Sequence, residues 1–227
     1  MKKNILVVAA HPDDEILGCG GTLAKYSSQG HNINILFLTN GVSSRSLSKK
    51  RMLKLISTRK SSAQKAKKII GAKKTFFLDF KDNQLDSYPL LKIIKPIERI
   101  IFKIKPDTIY THFEEDLNID HQVANKAVVT ICRPQKSNSV KEIFFFEIPS
   151  STEWQIKKKQ KFFFPNYFED ISKVKKYKIN ALKCYKSELK KWPHPRSIKG
   201  VTSLFNWRGA TIGVEAAEAF MVGRIIR

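Results

Sequence analysis

Cysteine is scarce in this chain of 227 residues: Cys19, Cys132 and Cys184 lie far apart, are odd in number and form no Cys-x-x-Cys pair. That argues against a disulfide framework and a thiolate zinc site, and points to a reducing, cytoplasmic setting. Long hydrophobic runs are missing as well. No stretch of about 18 apolar residues occurs, and Met1-Lys2-Lys3 leads straight into a short apolar segment, so neither a membrane span nor a signal peptide is expected. Internal repeats and low-complexity tails are absent, and the length suits a single domain, 1–227. Negative charge is in short supply. Twenty Asp plus Glu face 42 Lys plus Arg, for a formal net charge of +22, and Arg45 to Lys74 carries twelve basic residues and no acidic one. Such a field suits phosphorylated substrates, anionic head groups or nucleic acid. Lysines spread over the whole chain, beside much Ile, Phe and Asn, equally suit compositional drift. The sequence leaves both accounts open, with nucleic acid the least favoured partner.

What is present begins at Ala10-His11-Pro12-Asp13-Asp14-Glu15, directly after the apolar run Asn4 to Ala9 and before a glycine-rich segment. A run of this kind reads as a buried parallel strand, and ligands of open α/β sheets sit beyond the carboxyl ends of such strands. Imidazole and carboxylate are good zinc ligands, and a spare carboxylate can act as a base. The plainer alternative is that Asp13 or Asp14 caps the following helix. Pro12 stiffens the backbone between the imidazole and the carboxylates, which favours a rigidly presented site.

Further elements alternate. Glu15 to Gln29 reads as a helix stopped by Gly30, Asn34 to Leu38 as a strand, Ser46 to Ile70 as a basic helix stopped by Gly71, and Thr75 to Phe80 as a strand. Ser87 to Lys105 reads as a helix kinked or split by Pro96, Thr108 to Thr111 as a strand, and Asn118 onward as a helix bearing His121 near its start. Strand and helix in repetition predict a doubly wound, mostly parallel, Rossmann-like α/β sheet with helices on both faces. In the second half Phe144 opens another strand, and Lys173 to Lys191 reads as a helix with a core stripe of Val174, Tyr177, Leu182 and Tyr185 and a solvated Lys face. The run Phe162-Phe163-Phe164 beside Lys157 to Lys161 is expected to be buried, the alternative being a base-stacking patch.

The string Ala10 to Glu15 after an N-terminal strand resembles the signature of the zinc-dependent PIG-L/LmbE-like N-deacetylases, which remove acetyl groups from N-acetylglucosamine-type sugars. Asn118-Ile119-Asp120-His121 resembles the second signature, with Asn118 where a His is usual. The resemblance implies zinc, or another divalent metal, held by His11, Asp14 and His121, with Asp13 as general base and Asp120 as a supporting carboxylate. It implies sugar contacts from Arg59 and Asp82. Pro165 to Ile171, Lys178 to Ser187, His194-Pro195-Arg196-Ser197, Arg208-Gly209 and Glu215 to Phe220 also resemble one branch, so that Tyr185 and Arg196 join the expected substrate contacts and residues from about 150 to 227 form a loop and helical cover. Because an Asn amide cannot titrate, His194, flanked by Pro193 and Pro195, is the expected proton donor or oxyanion contact, reaching the site within the chain or from another subunit of a homo-oligomer. The expected substrate is a small amino-sugar conjugate, neutral or anionic, cleaved to acetate and a free amine.

Overall fold

The computed structural model describes residues 2–44, 48–135, 139–156 and 162–227. Seven strands form one sheet in the order β3-β2-β1-β4-β5-β7-β6. They are β1 (Asn4–Ala9), β2 (Asn32–Thr39), β3 (Lys74–Phe80), β4 (Thr108–His112), β5 (Glu142–Phe146), β6 (Tyr167–Asp170) and β7 (Ala217–Ile225). The pairings from β3 through β5 are parallel, and β7 joins β5 and β6 antiparallel. The doubly wound, mostly parallel sheet expected from the sequence is therefore present, with an antiparallel edge that carries strands β6 and β7.

The helices are α1 (Asp14–Ser28), α2 (Lys49–Ile69), α3 (Leu90–Ile104), α4 (Ile119–Ile131), α5 (Lys175–Leu182) and α6 (Ile198–Ala210). Strand β1 shows why both faces are covered. Ile5, Val7 and Ala9 enter the core beneath α1, α2, α5 and α6, while Leu6, Val8 and Ala10 enter the one beneath α3 and α4, the period-two alternation of a strand buried on both sides. Helix α3 is a single helix that continues through Pro96, and Ile93, Ile97 and Ile101 mark its buried stripe at four-residue spacing. At Gly18 an added Cβ would overlap the Phe146 ring, which is how α1 lies so close to β5.

Three expectations need correction. The helix predicted over Lys173 to Lys191 ends at Leu182 and tightens into a 3-10 turn, Lys183–Tyr185, that turns Tyr185 inward. On it Tyr177 is exposed, whereas Lys178, assigned to the solvated face, is buried: its Nζ meets Glu218 at 2.5 Å and the Leu17 carbonyl at 2.7 Å. Glu218 also accepts the backbone N–H groups of Gly21 and Thr22, so the cation is buried because it binds α5 and β7 to α1. Of the aromatic run, Phe162 and Phe164 are exposed, and Phe163 packs edge-on against Phe113, as an extended segment that alternates its sides does. Lys157 to Lys161, and the predicted helix start at Arg45 and Ser46, lie outside the described residues.

Candidate active site

The strand order reverses between β1 and β4, and the loops that leave those two strands meet over a crevice there, the usual ligand position in such sheets. His11 comes from the loop after β1 and His121 from the first turn of α4, after β4. A cavity of about 220 Å³ opens beside them, lined by His11, Asp13, Gly41, Ser44, Arg59, Asp82, Asn83, Asn118, Glu188 and Arg196.

The two imidazoles face one another. His11 Nδ1 lies 3.3 Å from His121 Nε2, and Asp14 Oδ2 is 3.0 Å from the first and 3.3 Å from the second. The outer nitrogens are occupied. His11 Nε2 meets Asp82 at 3.0 Å and Asp120 at 3.1 Å, and His121 Nδ1 meets Asp116 at 2.9 Å. Each carboxylate holds its ring with the inner nitrogen aimed at a shared point. Asp14 Oδ1 is buried with no hydrogen-bond partner. Three ligands at about 2.0–2.1 Å from a tetrahedral ion stand about 3.4 Å apart, close to the separations here, so the residues fit a divalent metal through two nitrogens and a carboxylate oxygen. His11, Asp82 and Asp120 form a second group of suitable spacing. There, however, both Asp120 oxygens already accept backbone N–H groups, of Asn83 at 2.7 Å and Leu85 at 2.9 Å, whereas Asp14 accepts one, from His11 N at 2.8 Å to Oδ2, and keeps Oδ1 without a partner, so Asp120 suits a support for His11 better than a ligand.

Charge reinforces this arrangement. Burial acts to lower both imidazole pKa values, but the carboxylates outweigh it: Asp14, Asp120 and Asp82 raise His11, and Asp14 and Asp116 raise His121 to about 9. Burial acts to raise Asp14, and the charges of His121 and His11 hold it well below the carboxylate range. A set of acceptors that attracts protons so strongly is one that a cation can occupy in their place.

Asp13 stands at the helix N-cap position yet makes no side-chain cap bond, so the capping alternative does not describe it. Its Oδ2 is buried without a hydrogen bond and lies 3.5 Å from Arg59 and 3.6 Å from Arg196. Burial raises its pKa, Arg59 opposes, Asp14 adds to the rise and Arg196 lowers it again, leaving about 6. Arg59 is buried, donates to the Pro12 carbonyl at 2.8 Å and pairs with Glu188. Asp82 accepts from Ser44 and meets His11. Asn118 lines the cavity and also caps α4, accepting from Asp120 N at 2.8 Å while donating to Asn83 at 3.0 Å.

Two expected contacts lie outside the cavity lining of their own chain. Within the chain His194 is not among the lining residues; its Nδ1 accepts the Arg196 backbone N–H at 3.0 Å and its ring meets Trp154 edge-on, so there it props the loop whose Arg196 reaches the cavity. Tyr185 is fully buried outside the lining, its hydroxyl 2.5 Å from Glu15. Sequence reasoning missed Asp116 and Glu188. Asp116 sits in a loop among other acids and accepts from Ser151 and Thr152 as well as meeting His121. Nothing local distinguishes it from Glu114 or Glu115 before the chain folds. His112 stacks on His121 with centroids 3.9 Å apart and accepts the Ala10 N–H at 2.8 Å.

Residues 6–132 match the family model described as PIG-L: GlcNAc-PI de-N-acetylase. An uncharacterized deacetylase, YaiS, of Escherichia coli is 30% identical over 82% of this chain and 92% of its own length. A probable N-acetyl-alpha-D-glucosaminyl L-malate deacetylase 2 of Bacillus cereus is 27% identical over 83% of this chain and 84% of its own. The solved structure of GalB, the 4-carboxy-2-hydroxymuconate hydratase of Pseudomonas putida, superposes with a TM-score of 0.81 at 20% identity, covering 100% of this chain and 99% of that one, which is a likeness of fold. The crevice at the strand reversal, the facing imidazoles and a family match over more than half of the sequence agree: the chain belongs to the PIG-L family of de-N-acetylases, enzymes that hydrolyse amide bonds.

Proposed function

We propose that this chain is a zinc-dependent hydrolase that removes the acetyl group from an N-acetylglucosamine-type sugar conjugate. The observation that carries the reading is the convergence of His11 Nδ1, Asp14 Oδ2 and His121 Nε2 on one point, beside a buried Asp13 carboxylate that has no capping duty. The family description and the Bacillus cereus relative supply the sugar.

In this reading His11, Asp14 and His121 hold the metal. When bound, it supplies Lewis acidity, polarising the acetyl carbonyl and lowering the pKa of water. Asp13 takes the proton of the attacking water, and a carboxyl near 6 is well matched to that task at neutral pH. Asn118 cannot titrate and the chain's own His194 lies outside the lining, so in this reading Asp13 also returns the proton to the departing amine. The water oxygen bonds to the acetyl carbon, the C–N bond breaks as its nitrogen takes the proton from Asp13, acetate and the amine leave, and the Asp13 carboxylate is restored. Asp120 and Asp116 keep the ligand imidazoles in register. Arg59 and Asp82 shape the sugar pocket, and Arg196, on the cover formed by residues from about 150 onward, favours a conjugate with a negative group. Free Cys19, Cys132 and Cys184 support a cytoplasmic setting.

Acetate release from a panel of N-acetylglucosamine conjugates, with metal content measured on the same sample, tests the reading. Turnover by protein carrying about one zinc ion per chain is the expected result. Metal-loaded protein that releases no acetate, and instead adds water to an unsaturated tricarboxylate such as the one its hydratase neighbour's name describes, would overturn it.

A further inference from the structure

Asp13 has φ 139° and ψ −26°, a backbone conformation that residues with a Cβ rarely adopt and that persists only where the surroundings impose it. The surroundings are visible. The Asp13 N–H donates to Glu15 Oε2 at 3.0 Å, and its carbonyl accepts from Ile16 at 3.1 Å and Leu17 at 3.0 Å. Glu15 is wholly buried and absent from the cavity lining. Its other oxygen accepts the hydroxyl of Tyr185, 170 residues further along the chain, at 2.5 Å. A residue preceding a helix ordinarily turns its carboxylate back onto the free N–H groups of the first turn. Asp13 does not, and in its conformation the carboxylate points to Arg59, Arg196 and the cavity.

We propose that Glu15, held by Tyr185, is a positioning residue that fixes the Asp13 backbone, so that the Asp13 carboxylate faces the cavity instead of capping α1. Its effect on turnover rests on the reading of Asp13 as the proton acceptor; its effect on the backbone does not. The same C-terminal segment acts from the other side, since Glu188 pairs with Arg59, which donates to the Pro12 carbonyl and faces Asp13. The catalytic loop is thereby set only when the turn after α5 has docked.

The experiment joins crystal structures and kinetics of the metal-loaded full chain carrying Glu15→Ala, Glu15→Gln or Tyr185→Phe. Glu15→Ala is expected to let Asp13 relax to negative φ with its carboxylate on the first turn of α1. Glu15→Gln, which can still accept the Asp13 N–H and bond Tyr185, retains the native loop. Metal content and KM stay near those of the parent, while kcat falls about 10- to 100-fold in Glu15→Ala, falls less in Tyr185→Phe, and is largely recovered in Glu15→Gln. In an Asp13→Asn background Glu15→Ala adds nothing further, because both changes act through one carboxylate. Asp13 remaining at positive φ in both Glu15→Ala and Tyr185→Phe would overturn the proposal, and Tyr185→Phe serves alone if Glu15→Ala does not fold. A relaxed loop with unchanged kcat would leave the positioning intact and refute Asp13 as the proton acceptor.

Discussion

His121 Nδ1 and Asp116 Oδ1 lie 2.9 Å apart, both residues wholly buried, with Ser151 and Thr152 also donating to the Asp116 carboxylate. A histidine from α4 is thus fixed by a carboxylate in the preceding loop, which is fixed in turn by hydroxyls from the loop after β5.

That relationship has a pH signature. Burial acts to raise the Asp116 pKa, but the charge of His121 and the bonds from His121, Ser151 and Thr152 outweigh it and bring it from 3.8 to about 2. Between those values the unfolded chain binds more protons than the folded one, so the stabilisation is complete above about 4 and is lost as pH falls through about 2. In metal-free protein it amounts to roughly 2 kcal/mol. Denaturant titrations of Asp116→Asn should show that part of the acid dependence gone, and zinc affinity should fall about 10- to 100-fold. Unchanged affinity would reduce Asp116 to a loop fastener.

His11→Ala, Asp14→Ala and His121→Ala should each lose most bound metal, since two remaining donors are too few for a stable site. Metal analysis after gel filtration reads this directly. Full occupancy in all three variants would remove the ligand assignment.

Asp13→Asn should retain metal and lose about 10²–10⁴-fold in kcat. In the parent enzyme kcat/KM should decline as pH falls through about 6 or slightly below, because a protonated Asp13 cannot accept the water proton and a bound cation would shift its pKa downward. A variant with wild-type turnover would rule out the base role.

His194→Gln separates the structural observation from the expectation drawn on sequence. Because its Nδ1 supports the Arg196 backbone and it stands outside the cavity lining, KM should rise several-fold while kcat and the basic limb of the pH profile change little. A 100-fold loss of kcat with a flattened basic limb would restore His194 as the proton donor.

Helix α2 carries Lys49, Lys50, Arg51 and Lys54 on its exposed first turns, which precede the cavity-lining Arg59. For an anionic sugar conjugate, kcat/KM should therefore decline with ionic strength through weakened steering, and for a neutral one it should not. Equal insensitivity in both would assign the surplus charge to composition alone.

Patterns that act within a few residues were legible before the chain was folded. The unbroken apolar run of β1 marks a strand buried on both faces, the four-residue spacing of Ile93, Ile97 and Ile101 marks a helix face, and His11, Asp13 and Asp14 follow a strand end where ligands gather. These rest on periods of 2 and 3.6 and on local chain direction, which the order of residues determines by itself. Strands β6 and β7 lacked such a signal, because their pairing joins segments about 50 residues apart at an antiparallel edge. The partner of each buried polar group was decided only by the tertiary structure: Asp116 for His121, Asp120 and Asp82 for His11, Glu218 for Lys178, Tyr185 for Glu15. A buried polar group takes whichever complementary group the strand order brings within hydrogen-bond reach. His194 and Arg196 are two residues apart, yet the backbone of their loop sends only the arginine into the cavity.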